Sequence, residues 1–499
     1  MRPLDEHNRA LVALVRPADW VNPAPAARYN LVVIGAGPAG LVAAAGAAGL
    51  GARVALIERQ WLGGDCLIAG CVPSKALLSA ARAAAQVRDA ARFGIHVPPG
   101  TQVDFPAIMQ RMRRLRAELA PADSAERLRR LGVDVFFGQA EFTGPDTLRV
   151  GPHALRFSRA VIATGARPAR PPIPGLEQAG YLTNETVFAL TSLPRRLAVI
   201  GAGPIGCELA QAFARFGSKV HLVEARHGIL PRDDRGGAEI VQRALVRDGV
   251  ELLCCGQQLE ITSAGREKRL SVHAHGQQAS VTVDEILVAT GRTPNLEGLE
   301  LDLAGVRHAA TGVLVNDRLQ TSNRRVFAAG DVCTPLKFTH AADALARIVL
   351  RNALFPGRAR ASTLTVPWCT YTDPEIAHVG LSEEDAARRG IATHTFVQPL
   401  GEIDRAVLDD QAEGVVKVLV RRGTDRILGA TVVASHAGEM ISEVTLAMEG
   451  GLGLNTISRT IHPYPTQAEA MKKIGDQFQR GRLTPRVRAL LARWFAWRR

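Results

Sequence analysis

The apolar positions of this chain come in short, unbroken runs, and the first of them empties directly into glycine. Leu31-Val-Val-Ile34 leads into Gly35-Ala-Gly-Pro-Ala-Gly40, and residues 31–52 hold six glycines and no charge. An apolar stretch of this length could pass for a membrane span, but the glycine turn divides it. A buried parallel strand, a tight turn and an Ala-rich helix on a sheet fit better. Arg53-Val-Ala-Leu-Ile-Glu58 then supplies a second strand ending in an acid, completing a βαβ unit. The whole pattern recurs as Leu197-Ala-Val-Ile200, Gly201-Ala-Gly-Pro-Ile-Gly206, a helix through Phe216 and Lys219-Val-His-Leu-Val-Glu224. In both copies the acid follows the second glycine by 21 residues (Gly37 to Glu58, Gly203 to Glu224), and the copies stand 166 residues apart. Such a match in spacing predicts a duplicated architecture.

Each unit has a companion. Val161-Ile-Ala-Thr-Gly165 and Leu287-Val-Ala-Thr-Gly291 are apolar strands ending in the same turn, and each runs into a Pro-rich connection that marks a crossing between domains. From about Thr363 the pattern changes to alternating strands, such as Gly414-Val-Val-Lys-Val-Leu-Val-Arg421, mixed with amphipathic helices. That predicts an antiparallel α+β domain. Near the N-terminus, Leu11, Leu14 and Val15 fall at helical spacing within residues 8–20, as in a docking helix.

Composition narrows the function. A chain of 499 residues is too long for one core and predicts two to four domains. Seven Cys, an odd and sparse set, argue against a secreted disulfide scaffold, and the polar start lacks a signal peptide's apolar core. A reducing, cytoplasmic setting is expected. The net charge of +13 would suit nucleic acid, yet only seven of the 61 basic residues are Lys, and seven Arg follow Gln479 in a tail without an acid. The body is only mildly basic, so no nucleic-acid partner is expected. The tail ends Arg493-Trp-Phe-Ala-Trp497-Arg-Arg, which suits either an anionic membrane surface or an ordinary disordered or packed terminus.

The glycine fingerprints carry the first chemistry. The opening Gly permits the turn, the second lets a pyrophosphate approach the backbone, and the third lets helix and strand close up. The anion then sits on a helix N-terminus. Glu58 and Glu224 are placed to accept from a ribose 2′-hydroxyl. At the second site that disfavours a 2′-phosphate and points to NAD(H) over NADP(H), although Arg226 leaves the choice open. The second chemistry is Gly63-Gly-Asp-Cys66-Leu-Ile-Ala-Gly-Cys71-Val-Pro-Ser-Lys75. Two Cys five apart on a regular helix would stand beyond the ~7 Å limit for a disulfide. Gly70 and Pro73 supply an irregularity, and the positive end of a helix over 76–87 should lower a thiolate pKa. No nearby Cys or His pair completes a zinc site, so no metal ligands are assigned.

With these residues in place the chain resembles the FAD-dependent pyridine nucleotide-disulfide oxidoreductases (class I), the group of dihydrolipoamide dehydrogenase, glutathione reductase and mercuric reductase. The resemblance spans residues 28–475. It rests on both fingerprints, the C-x4-C with Val-Pro-Ser-Lys, both Ala-Thr-Gly turns and Val326-Phe-Ala-Ala-Gly-Asp331. It implies an α/β fold with two Rossmann-type dinucleotide-binding domains and a C-terminal α+β dimerisation domain. The implied division is an extension over 1–27, an FAD domain over 28–170 returning at 298–360, a NAD(P) domain over 171–297, an interface domain over 361–478 and the tail over 479–499. FAD would contact Gly35, Gly37, Pro38, Ala39, Gly40, Glu58, Gly64, Asp65, Lys75, Ala140, Thr164, Gly165, Gly330, Asp331 and Thr339, with Asp331 on the ribityl chain. The nicotinamide cofactor would contact Gly201, Gly203, Pro204, Ile205, Gly206, Glu224 and Gly291. By the same resemblance Cys71 is the sulfur nearest the flavin, Cys66 the interchange thiol, and Lys75 pairs with Glu208. The enzyme is expected to be a homodimer with a shared active site.

One departure concerns the acceptor. Disulfide reductases carry His-Pro-Thr-x-x-Glu near the C-terminus, the Glu orienting the His that handles the thiol proton. Here the run is Ile461-His-Pro-Tyr464-Pro-Thr-Gln-Ala-Glu469. Aligned on Pro-Thr and Glu469, the base position holds Tyr464, and His462 is the rival two residues earlier. A Tyr with a pKa of about 10 is a poor base at neutral pH. Mercuric reductases also resemble the chain in having Tyr there, yet their C-terminal vicinal Cys pair has no counterpart after Cys369, and their N-terminal Cys-x-x-Cys module is missing. Cys254-Cys255 fall in the nicotinamide domain and are expected to be structural. The leading acceptor is Hg(II) or a thiol-bound relative, followed by a lipoamide-like disulfide. A membrane-tethered redox sensor is the non-catalytic alternative.

Overall fold

The computed structural model describes residues 1–265, 267–274 and 277–499. The chain forms two compact units, residues 1–225 with 256–364, and residues 226–255 with 365–499.

The first unit is built on two parallel sheets. In one, the strands run in the order Val133–Phe137, Val54–Glu58, Tyr29–Ile34, His153–Ile162, and Val326–Ala328 joins the last of these in parallel. All five residues of Val54–Glu58 and five of six in Tyr29–Ile34 are buried, as strands covered on both faces must be. The early half of His153–Ile162 turns away to pair antiparallel with Thr147–Val150, which pairs with Ala140–Gly144. The second copy has Lys219–Val223, Arg196–Ile200 and Glu285–Val288 in parallel. Strands Gln257–Ala264, Glu267–Ala274 and Gln277–Val283 form an antiparallel sheet beyond it. The Pro-rich connections that follow the two Ala-Thr-Gly turns pair with each other, Ala166–Pro168 against Arg292–Pro294. The two connections thus form a two-stranded ribbon within this unit.

The N-terminal segment is a helix, Glu6–Val15, shorter than residues 8–20 suggested at its far end, and it buries Leu11 and Val15 in the core of this unit. It is tied down by charge as well as apolar contact. Asp5 pairs with Arg113, and Arg116 donates to Asn8 Oδ1 at 2.6 Å. Burial holds the Arg116 guanidinium down to about 10.

The second unit is an antiparallel sheet in the order Trp368–Thr370, Glu375–Gly380, Ile427–Ala434, Val415–Arg421, Thr393–Pro399. Helices Ala437–Glu449, Leu454–Arg459 and Glu469–Gly481 share its core. Helix Arg235–Arg247 belongs to the same unit. Its N-cap Asp234 meets Lys417 Nζ at 2.7 Å, Trp368 Nε1 donates to Asp233 at 2.9 Å, and Arg247 reaches Glu413 at 2.6 Å. The basic tail is helical over Pro485–Trp497, and none of its residues is buried within this chain.

Candidate active site

The two glycine turns are the same object built twice. Gly35 and Gly201 sit at φ +100° and +103°, a region L-residues rarely enter, and Gly37 and Gly203 both cap their helices at φ −76°. A Cβ on Gly40 would lie 1.8 Å from Gly35 O, and one on Gly206 would lie 1.9 Å from Gly201 O, so only Gly lets helix and strand close. Neither helix has a side-chain cap, so the first-turn N–H groups are left to an anion. Each acid braces its own turn. Glu58 accepts from the Ala36 N–H at 2.8 Å and the Gln60 N–H at 2.7 Å, and Glu224 accepts from the Ala202 N–H at 2.9 Å. Burial pushes the Glu58 carboxyl above its usual range.

Further residues gather round the first turn. Gly35, Glu58, Ala140 and Thr164 line one cavity together with Asn295. Thr164 and Asn295 bond reciprocally, Thr164 Oγ1 to Asn295 O at 2.7 Å and Asn295 Nδ2 to Thr164 O at 2.9 Å. A Cβ on Gly64 would stand 2.6 Å from Gly37 Cα, which keeps the Cys loop against the turn, and one on Gly330 would be 3.3 Å from Ala39 Cβ. Gly330 therefore brings Asp331 to the start of helix Pro38–Gly49. Burial raises the Asp331 carboxyl, opposed by Arg292, whose Nε lies 3.4 Å away. The same guanidinium meets Asp65 at 2.9 Å. These uncapped N–H groups, glycine clearances and the buried acid fit a dinucleotide with a pyrophosphate, as FAD requires. Gly165 and Gly291, at φ +66° and +134°, end their strands as the turns demand.

The cysteines sit where the helix breaks. Gly64–Ile68 carries Cys66, and a new helix, Cys71–Arg88, begins at Cys71 itself rather than near residue 76. Gly70 makes the break, since a Cβ there would stand 2.8 Å from Asp65 O, whereas Pro73 lies inside the first turn. Both are thiols within hydrogen-bonding reach of one another. The Cys66 S–H donated to Cys71, the Thr339 hydroxyl 3.1 Å from Cys71 Sγ and the Lys75 charge bring Cys71 down to about 6. The same bond, with burial, pushes Cys66 up. The pair holds one proton and one negative charge around neutrality. Lys75 Nζ lies 2.8 Å from Glu208, whose side chain is 5% exposed.

Three supporting residues were not among the candidates drawn from the sequence. Asn184 Nδ2 donates to Asp65 Oδ1 and Ala69 O at 3.0 and 3.1 Å, Arg116 donates to Ile68 O, and Arg292 bridges two acids. Arg292 alone had a pointer, standing directly after the second Ala-Thr-Gly turn.

Near the end of the chain His462 and Tyr464 part company. The His462 side chain is 6% exposed, with Nε2 3.0 Å from Glu443 and Nδ1 3.1 Å from Thr460 O. Tyr464 is 71% exposed and donates to Asp404 at 2.9 Å, a bond that raises its pKa further. Glu469 opens helix Glu469–Gly481 with its Oε2 buried and without a hydrogen bond. The sequence pattern pointed to neither Glu443 nor Asp404.

Residues 29–346 match the pyridine nucleotide-disulphide oxidoreductase family, and residues 366–474 match its dimerisation domain. The chain belongs to this family. Members resembling it include a mercuric reductase of Lysinibacillus sphaericus, 36% identical over 89% of this chain and 81% of that protein. A dihydrolipoyl dehydrogenase of Thermus scotoductus is 35% identical over 90% and 97%. Among solved structures, an HOCl-induced flavoprotein disulfide reductase of Escherichia coli superposes with a TM-score of 0.79 at 31% identity, covering 90% of this chain and 99% of that one. The chain is therefore an FAD-dependent oxidoreductase that uses a pyridine nucleotide, as its turns and sulfur pair led one to expect.

Proposed function

We propose that this oxidoreductase delivers electrons from NADH to a thiophilic metal ion, Hg(II) or its thiol complex, and does so in preference to a disulfide such as lipoamide. The observation that carries this reading is the state of the two candidate bases. A disulfide substrate releases a thiolate that must be protonated, so the site needs a group titrating near neutrality. Both ring nitrogens of His462 are engaged by Thr460 O and Glu443, and the exposed group in the family's base register is Tyr464. Hg(II) held by Cys66 and Cys71 takes two electrons and leaves as the metal while both sulfurs stay on the enzyme, and a ligand thiol displaced by Cys66 leaves with the proton that Cys66 gives up. Similarity to mercuric reductases supports the same choice.

Bound FAD would be held by Gly35, Gly37, Glu58, Thr164 and Asp331 and supplies two-electron transfer between the nicotinamide and the sulfur pair. Cys71, with the lower pKa, is a thiolate at neutral pH, and Cys66 keeps its proton until an acceptor displaces it. Lys75 with Glu208 holds positive charge one helical turn from Cys71. Glu224 at the second turn favours a free 2′-hydroxyl and hence NADH. The dimerisation domain supports a homodimer in which each subunit lends residues near Tyr464 to the other's sulfur pair.

The test compares NADH-driven reduction of Hg(II)–thiol complexes with oxidation of dihydrolipoamide. Under this reading metal turnover exceeds dihydrolipoamide oxidation at pH 7, Tyr464→Phe lowers it and His462→Ala is mild. Brisk dihydrolipoamide oxidation that His462→Ala abolishes would overturn it in favour of a dihydrolipoyl dehydrogenase.

The tail supports one finer reading. At 100° per residue, Val487, Leu490, Leu491, Trp494, Phe495 and Trp497 share an arc of about 160°, flanked by Arg486, Arg488 and Arg493. An exposed helix with aromatics on one face and arginines at both borders suits the interface of an anionic membrane.

A further inference from the structure

In sequence, Cys254-Cys255 falls in the nicotinamide domain and is expected to be structural. The fold departs from that expectation. Strand Val250–Leu253 ends just before the pair, and Cys255 takes φ +57°, a left-handed conformation uncommon for a residue with a Cβ. Its N–H donates to Arg226 O at 3.1 Å, fastening the turn to the residue before His227. As a result His227 Nδ1 stands 3.6 Å from Cys255 Sγ, and one ligand atom from each of His227, Cys254 and Cys255 lies within 4.8 Å of the others. His227 is exposed and both Cys are half-buried, so the cluster is open to solvent.

We propose that His227, Cys254 and Cys255 bind a single soft metal ion, with Cu(I) the best match. Around a trigonal or tetrahedral ion, a sulfur at ~2.3 Å and a nitrogen at ~2.0 Å stand about 3.5–3.7 Å apart, and two such sulfurs about 3.8–4.0 Å. The Cys255–His227 separation already has the sulfur–nitrogen value, and no separation needs to close by more than about 1.3 Å. Two thiolates and an imidazole are a soft donor set, which selects Cu(I) or Zn(II) over hard cations. Three protein donors complete a trigonal Cu(I) site, whereas Zn(II) would need a water as its fourth ligand. Binding displaces the thiol protons, so affinity falls with pH. None of the three residues belongs to the glycine turns or the sulfur pair, and the proposal stands whichever acceptor the enzyme uses.

The experiment uses full-length, FAD-loaded protein carrying Cys66→Ala and Cys71→Ala, so that the redox pair binds no metal. Cu(I) is titrated anaerobically against the chelator bicinchoninate. One tightly held Cu(I) per chain is expected, weakened at least 100-fold by Cys254→Ser with Cys255→Ser and about 10-fold by His227→Ala. A second measurement needs neither of those substitutions: Cu(I) should protect Cys254 and Cys255, but not the half-buried Cys369, from alkylation read by mass spectrometry. Equal Cu(I) affinity in the parent and the double Ser variant would overturn the site. So would unchanged alkylation of the two Cys in the presence of Cu(I), or their recovery as a vicinal disulfide that binds none.

Discussion

The thiolate of Cys71 should depend measurably on a single hydroxyl. Thr339 begins helix Thr339–Leu354, and its Oγ1 lies 3.1 Å from Cys71 Sγ. Against a thiolate the hydroxyl must be the donor. A hydrogen bond to a charged group contributes about 1.5–3 kcal/mol, and one pK unit corresponds to about 1.4 kcal/mol. Thr339→Val should therefore raise the Cys71 pKa from about 6 by about one to two units, with the Cys66 bond and the Lys75 charge still in place. The sign follows from the charged form being the one stabilised. Thiolate is present above the midpoint and lost as pH falls through it, so a raised midpoint removes thiolate at pH 6 while leaving pH 9 unaffected. The assay is a short iodoacetamide pulse on reduced protein across pH 4.5–9.5, with Cys71 and Cys66 resolved by peptide fragmentation. At pH 6 the Thr339→Val rate should fall on the order of tenfold. Thr339→Ser, which keeps the hydroxyl, should stay near the parent. Cys66 should remain unlabelled through neutrality in all three. A Thr339→Val midpoint within about 0.3 units of the parent would refute the assignment of that hydroxyl as a thiolate donor.

Lys75→Met removes the 2.8 Å ion pair from the buried Glu208 carboxylate, and because Lys75 is itself 39% exposed the loss should be about 2–3 kcal/mol, read by urea unfolding. The same variant should also raise the alkylation midpoint of Cys71. Glu224 predicts a higher kcat/KM with NADH than with NADPH, and Glu224→Ala should narrow the ratio; NADPH equal or better in the parent contradicts that cofactor choice. Removing residues 485–499 should abolish co-sedimentation with vesicles rich in phosphatidylserine and leave NADH turnover intact. Loss of dimers instead would assign the helix to a second copy of the chain.

The parts of the fold that were legible in the sequence are those where backbone geometry dictates residue type. A turn at φ +100° whose neighbouring helix approaches to within a Cβ of it admits only Gly, so both nucleotide turns are written into the chain at fixed spacing. The break between the cysteines was legible for the same reason, through Gly70, although the helix starts at Cys71, earlier than the Ala-rich run implied. What could not be read is anything assembled from distant segments by side chains alone. Asn184 under the Asp65 loop, Asn295 on Thr164 and His227 beside Cys255 are ordinary residues in ordinary surroundings along the chain. Their positions follow only from tertiary packing.

The base position shows how the two kinds of information meet. Under the proposed reading, Pro465-Thr466 and Glu469 set the register that puts Tyr464 at the base position. Register alone left His462 as a rival, since a small shift across Pro463 could have exchanged the two side chains. The packing opposes that exchange. Moving His462 outward would break its contacts with Glu443 and Thr460 O and leave the Glu443 carboxylate without that partner, while Tyr464 would have to give up Asp404. The buried Glu469 Oε2, without a hydrogen bond, retains the acceptor that an imidazole at position 464 would use. Tyr464→His should thus supply a group titrating near neutrality beside a carboxylate able to orient it, and oxidation of dihydrolipoamide should rise at pH 7. Unchanged oxidation in that variant, with the fold and flavin content intact, would show that the side chain at this position does not choose the acceptor.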